Sequence, residues 1–153
     1  MTRWFLVLAA VAAAAAPAAE RRWTFTVDNG KPAGYTSIEC DANERCRSEL
    51  FFKDNGRGPE IREQYRLAAD GTFREYTAQG TTTYGSRVDE RFRVSGTQAT
   101  WRSTTEKGSV PNATGKLYLP LNISVAAYEQ LLRLTTDGRL LRLLPAGTVT
   151  RRT

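Results

Sequence analysis

Two glutamates occupy positions where a β-strand would present apolar side chains. In "IREQYRL" a period of two runs Ile61, Glu63, Tyr65, Leu67, and in "RVDERFRVSG" it runs Val88, Glu90, Phe92, Val94. Both carboxyl groups are therefore in phase with the packed face of their strands. Two inward carboxyl groups are the equipment of acid–base chemistry, as in glycoside hydrolysis, where one supplies a proton and the other activates or attacks. The same arrangement also arises without chemistry, from an ion pair with an arginine or from a side chain near a sheet end that reaches water. The spacing does not bring Glu63 and Glu90 together, and a structural role is the expectation.

The chain contains no histidine. The usual general base near neutral pH and the commonest metal ligand are both missing, so histidine-based triads and histidine-ligated metal centres cannot be built from this chain alone. No serine lies in a nucleophile-elbow pattern. Two cysteines, Cys40 and Cys46, cannot complete a zinc site. No metal, cofactor or catalytic residue is expected. The stretch "DNGRGPE", Asp54 to Glu60, is rich in the residues of an anion-binding loop. A phosphate cradle, however, needs a helix start behind its glycines, and here a proline and an alternating strand follow. The segment reads as a turn between strands, with Gly56 and Gly58 free to take positive φ and Arg57 at the tip, open to a partner.

These residues belong to a chain with an export signature. "MTR" is a short basic start, Trp4 to Ala16 is a thirteen-residue apolar run too short to span a bilayer comfortably, and "APA" at Ala16–Ala18 offers a small-residue cleavage site. Residues 1–18 are expected to be a secretory signal peptide, and 19–153 a single domain in a secreted, periplasmic setting. Loss of the signal, whose one charged residue is Arg3, lowers the formal net charge from +6 to +5. Acidic and basic residues are interleaved without a basic block, so nucleic acid is not an expected partner. In an exported chain an even pair of cysteines reads as a disulfide. No transmembrane segment is expected beyond the signal.

The remainder is strand-rich. Trp23, Phe25 and Val27 alternate before an Asn-Gly turn, "GYTSIEC" and "RSELFF" flank a loop that sets Cys40 opposite Cys46, and "TFREYTAQG" and "QATWRST" add further strands. Turn signals recur throughout. The fold class is mainly β: an antiparallel meander, curled or half-barrel-like, with one packed face and one C-terminal helix. That helix lies in "SVAAYEQLLRLTTDG", with Val125, Tyr128, Leu131 and Leu132 at helical spacing, Ser124 as its cap and Gly138 at its end. The leucines of "RLLRLLPAGTVT" have little chain left to cover them. Two sequons, at Asn112 and Asn122, matter only in a host that glycosylates.

Several stretches in order carry a resemblance: "DNGRGPEIREQYRLAADGTF", "TYGSRVDERFRVSGTQATWRST", "KLYLPLN", a short helix and "RLLRLLPAG". Together they resemble the β-rich N-terminal accessory region of secreted bacterial amidohydrolases, over roughly residues 23–150. The resemblance implies a non-catalytic domain that packs on or beside a metal-dependent hydrolase barrel. That barrel's histidine and aspartate ligands have no counterpart in this chain, so no catalytic residue carries over. The resemblance implies that further sheet and the barrel would follow Thr153, leaving an open sheet edge that pairs with the hydrolase or with a second copy. The alternative is a free-standing periplasmic domain that holds an apolar or amphipathic ligand against Trp23, Phe25, Phe92 and Trp101.

Overall fold

The computed structural model describes residues 19–28, 30–136, 138 and 140–150. The signal-peptide reading falls on residues outside that set, as does Asn29 of the first turn.

Eight strands follow one another in space as they do in sequence: β1 (Ala19–Thr26), β2 (Pro32–Cys40), β3 (Arg45–Phe52), β4 (Glu60–Leu67), β5 (Phe73–Thr81), β6 (Arg87–Ser95), β7 (Gln98–Arg102) and β8 (Lys107–Val110). Each pairs antiparallel with the next, as the recurring turn signals predict. β1 and β8 do not pair, so the sheet stays open. A second sheet of three short strands, β9 (Lys116–Tyr118), β10 (Leu141–Leu144) and β11 (Thr148–Val149), brings β9 and β10 together in parallel. Between them in the chain runs α1 (Val125–Leu134), which lies against β3 and β9.

The "DNGRGPE" stretch is a tight hairpin turn. Asp54 and Arg57 exchange both backbone hydrogen bonds, at 2.8 and 2.9 Å, while Asn55 and Gly56 take φ of 49° and 76°. Positive φ at both central residues is the I′ geometry that Asn-Gly favours and that matches strand twist. Gly58 then passes so close to the Phe52 backbone that no Cβ would fit. No helix follows, so the turn presents no anion cradle.

The core lies between the inward face of the large sheet and a lid made by α1, β9 and β10. Ile38, Ile61, Tyr65, Phe73, Tyr76, Ala78, Val88 and Phe92 of the sheet meet Leu117, Tyr118, Ala126, Ala127, Leu141 and Leu144 of the lid. Aromatic rings form a continuous path through it, Tyr65 to Phe73 to Tyr76 to Tyr118 to Phe92, with centroids 5.5, 5.3, 6.1 and 4.3 Å apart. Spacings of this order add attraction beyond the area that the rings bury. The turn after β4 is tied to the start of β9 by Asp70, whose carboxyl accepts from the Thr72 hydroxyl and amide and from the Gly115 amide. Partial burial works to raise the Asp70 pKa, but those bonds hold it below the ordinary carboxyl value.

Cys40 and Cys46 stand opposite each other on β2 and β3 and are bonded, with Cα atoms 4.0 Å apart. The bond closes a short loop, so the constraint it places on the unfolded chain is modest. Replacing both cysteines by alanine is expected to cost about 2 kcal/mol, read as a lower denaturant midpoint with an unchanged slope.

Three expectations are corrected. The leucine-rich end is largely covered: β10, paired with β9 and β11, buries Leu141 and Leu144 to 3 % and 2 % exposure, and only Leu140 of its leucines stays open, at 62 %. The helix ends at Leu134 rather than running to Gly138, because the Thr135 and Thr136 hydroxyls bond back to the carbonyls of Leu131 and Leu132 and close the last turn. The third concerns its buried face, which is small and polar, made by Ala126, Ala127 and Gln130, while Tyr128 and Leu132 of the expected apolar stripe point to solvent.

Candidate functional site

Register decides what the two glutamates do. Glu63 on β4 is opposite Ala78 on β5, and Ala78 is opposite Glu90 on β6. The two therefore share one row on the inward face, two strands apart, with backbones about 10 Å from each other. The methyl of Ala78 leaves room between them for the phenol of Tyr76. Glu63 is 2 % exposed and Glu90 fully buried.

Neither glutamate meets an arginine or the solvent. The Glu63 carboxyl accepts from the Ser48 hydroxyl, from the Tyr76 hydroxyl at 2.7 Å and from the Ala126 amide at 3.3 Å. That amide is one of the free N–H groups in the first turn of α1, and Ser124 caps the helix by accepting from Ala127. Glu63 thus fixes where the helix begins relative to the sheet. Glu90 accepts from the Tyr118 hydroxyl at 2.6 Å and the Leu121 amide at 2.9 Å through one oxygen. Its other oxygen has no hydrogen-bond partner. Glu90 thereby pins β9 and the loop after it. Burial raises the Tyr76 pKa well above its ordinary value, and Glu63 adds to this; burial together with the hydrogen bond to Glu90 raises that of Tyr118. Both phenols remain protonated donors. The expected arginine partner or water contact is replaced by neutral donors, hydroxyls of Ser48 and Tyr76 from the neighbouring strands and a hydroxyl and two amides from the lid, at a row that lies in mid-sheet.

An outer link reinforces the inner ones. Arg21 of β1 donates to both carboxyl oxygens of Glu129 on α1, at 2.6 and 3.0 Å. That hydrogen bond raises the arginine's pKa. The helix is held at two places and the loop before it at a third, and together they present Ile123, Tyr128 and Leu132 outward, 51 %, 52 % and 60 % exposed, beside Leu121 at 52 %. Ile123 and Tyr128 occupy the positions before the cap and four into the helix, which meet in a hydrophobic staple. Leu132 lies one turn further along the same side. An apolar stripe therefore runs from the strand-to-helix loop along the outside of a fixed helix.

The other residues singled out in the sequence are dispersed. Phe92 is buried under Tyr118, stacked at 4.3 Å. Trp101 on β7 is half-buried against Gly108 on β8. Trp23 is 46 % exposed on β1, at the far edge of the same sheet, and Phe25 packs edge-on against Phe52. The four aromatic residues do not form one pocket. Arg57 is exposed at its turn, where Lys53, Thr82 and Tyr84 join it around a hollow of about 500 Å³. Missing from the sequence reading were Tyr118 and Leu121, the donors that make Glu90 structural. The only sequence trace of Tyr118 was its place in "KLYLPLN", a motif with no pattern of its own.

Among the described residues there is no group of three His, Cys, Asp or Glu side chains that could hold a metal ion, and no helix long and apolar enough to cross a membrane. No protein-family model, curated protein or solved structure matches the chain.

Proposed function

We propose that this chain is a non-catalytic accessory domain of a secreted amidohydrolase-like hydrolase, docking on the catalytic domain through the outer side of α1 and the loop before it. The observation that carries the proposal is the Ile123–Tyr128–Leu132 stripe, with Leu121 beside it, on a helix whose position is set from below by Glu63 and from the side by Arg21. A rigid element that displays large apolar side chains is suited to binding, since little ordering entropy is lost when it docks. Each of these half-exposed side chains contributes about 1 kcal/mol when a partner finishes covering it. The sequence resemblance supports the identity of that partner.

The two buried glutamates favour the same reading. They are buried under the lid, and structural donors hold both Glu63 oxygens and one of Glu90's, which favours a structural role.

The experiment is size-exclusion chromatography with light scattering at low micromolar concentration, with and without the catalytic barrel of a resembling amidohydrolase. A one-to-one complex is expected, and it is expected to be lost when Tyr128→Lys and Leu132→Lys are combined. A monomer that ignores the barrel overturns the proposal. So does a homodimer that survives both substitutions, which would place association at the open edges β1 and β8.

A further inference from the structure

The outward face of the large sheet carries a different chemistry. Arg91 on β6 is directly opposite Arg102 on β7, and Arg102 is directly opposite Lys107 on edge strand β8. Three cations thus stand in one row perpendicular to the strands, spanning two inter-strand spacings, about 10 Å. All three are exposed, and none makes an ion pair or side-chain hydrogen bond among the described residues. Like charges directly opposite one another weaken a sheet, and natural sheets usually alternate them with carboxylates.

Elsewhere on the same face several arginines are paired with carboxylates, although Arg45 and Arg66 also stand directly opposite each other. Arg47 pairs with Glu39, Arg62 with Glu49 and Glu60, Arg87 with Asp89, and Arg93 with Glu75. The carboxylates nearest the row, Glu75 and Asp89, are thus already engaged. Arg91 and Arg102 border a shallow groove of about 410 Å³ together with Arg93, Thr77 and Thr100, the edges of Phe92 and Trp101, and Glu75, whose carboxylate is held by Arg93. In the same row Gln64 and Thr77 continue the line on β4 and β5. The row therefore reads amide, hydroxyl, guanidinium, guanidinium, ammonium.

We propose that this row binds a linear acidic polysaccharide. Guanidinium forks match carboxylate groups in two-point contacts. Their repetition across strands suits a ligand with anionic groups repeated along its length, and the amide and hydroxyl positions suit a chain that also bears hydroxyls. A lipid surface fits less well. The exposed large apolar residues lie on α1, on the segments flanking it, on the β5–β6 turn and on β1, and none of them is on an outward strand position beside the row. On this face the half-buried rings of Tyr35 and Phe51 stack on each other on β2 and β3, several strands from the row, and no large exposed apolar side chain flanks the row.

The test uses the exported chain, titrated at low ionic strength with an oligogalacturonate, with neutral dextran of similar length and with vesicles of mixed phosphatidylglycerol and phosphatidylcholine. Binding to the oligogalacturonate alone is expected. Arg91→Ser with Arg102→Ser is expected to weaken it by at least tenfold and to reduce the slope of log affinity against log salt by about two, one per cation removed. Arg91→Lys with Arg102→Lys keeps the charge and loses the fork, and is expected to retain the slope with an intermediate affinity. Arg62→Ser, which removes an arginine that is already paired, is expected to change little. The proposal is overturned if the oligogalacturonate fails to bind, if the double serine variant binds as tightly as the parent, or if the vesicles bind more tightly than the oligogalacturonate. Circular dichroism of the double serine variant, expected to match the parent, assigns any loss of binding to the row.

Discussion

Replacing Glu63 by leucine is expected to lower stability by about 3 kcal/mol, although the side chain keeps its approximate size and its place under the lid. Three donors converge on this carboxyl: the hydroxyls of Ser48 and Tyr76 and the amide of Ala126. A leucine offers no acceptor to any of the three. At 2 % exposure, no water is at hand to take over. The stranded groups include a free amide of the helix's first turn, so the helix loses its anchor to the sheet as well as a hydrogen bond. For a domain of this size the loss corresponds to a fall in melting temperature on the order of 10 °C. Thermal unfolding followed by circular dichroism measures it. A change of no more than a degree or two would mean that Glu63 does not organise the lid.

The contrast between Glu63 and its surroundings marks the limit of what the sequence reveals. Alternation placed Glu63 and Glu90 on the inward face correctly, because a period of two is a local property of each strand. It did not supply their partners. Tyr118 lies 28 residues beyond Glu90 and Ala126 lies 63 beyond Glu63. No local pattern connects them, since they meet only when the lid folds back over the meander. The disulfide and the Asn55–Gly56 turn were legible for the opposite reason: both join neighbouring strands through a few residues of chain. The outward stripe of α1 was misread because leucine spacing indicates a face without saying which way it points. Here Ala126 and Ala127 make the close contact with the sheet, and the larger residues are left outside. β8, β9 and the parallel β9–β10 pair are short, from three to four residues each, and gave little alternation to read.

Replacing Gly80 by alanine is expected to be at least as damaging. Gly80 is in β5, opposite Ile61 on one side and Val88 on the other, and its φ of 145° lies where L-residues with a Cβ are strained. A methyl group there would collide with the Glu60 carbonyl oxygen and crowd the Ile61 Cα. Both obstacles are backbone atoms of the neighbouring strand, so no rotamer change relieves them. The strand pair must separate, which breaks ladder bonds in the middle of the sheet beside the row that carries Glu63. The combined strain and overpacking amount to roughly 4 kcal/mol. Chemical denaturation of the variant measures this loss, and it would be most of the stability of an ordinary domain. A variant as stable as the parent would show that β4 and β5 tolerate a wider spacing than the register implies.

Both substitutions act on the same device, a row of inward side chains that sets the height and tilt of α1. The functional consequence is that the Ile123–Tyr128–Leu132 stripe is displayed at a fixed angle. The outward row of Arg91, Arg102 and Lys107 belongs to the other face of the sheet, so the two proposed surfaces do not overlap.

Hydroxyl-radical footprinting of the side chains tests the docking claim most directly, with the domain alone and in the presence of the amidohydrolase barrel. Ile123, Tyr128 and Leu132 are exposed and reactive in the free domain. In the presence of the barrel their modification is expected to fall several-fold together with that of Leu121, while Tyr84, exposed on the β5–β6 turn, reacts as before. Unchanged reactivity along the α1 stripe, or protection confined to the strand edges, would contradict it.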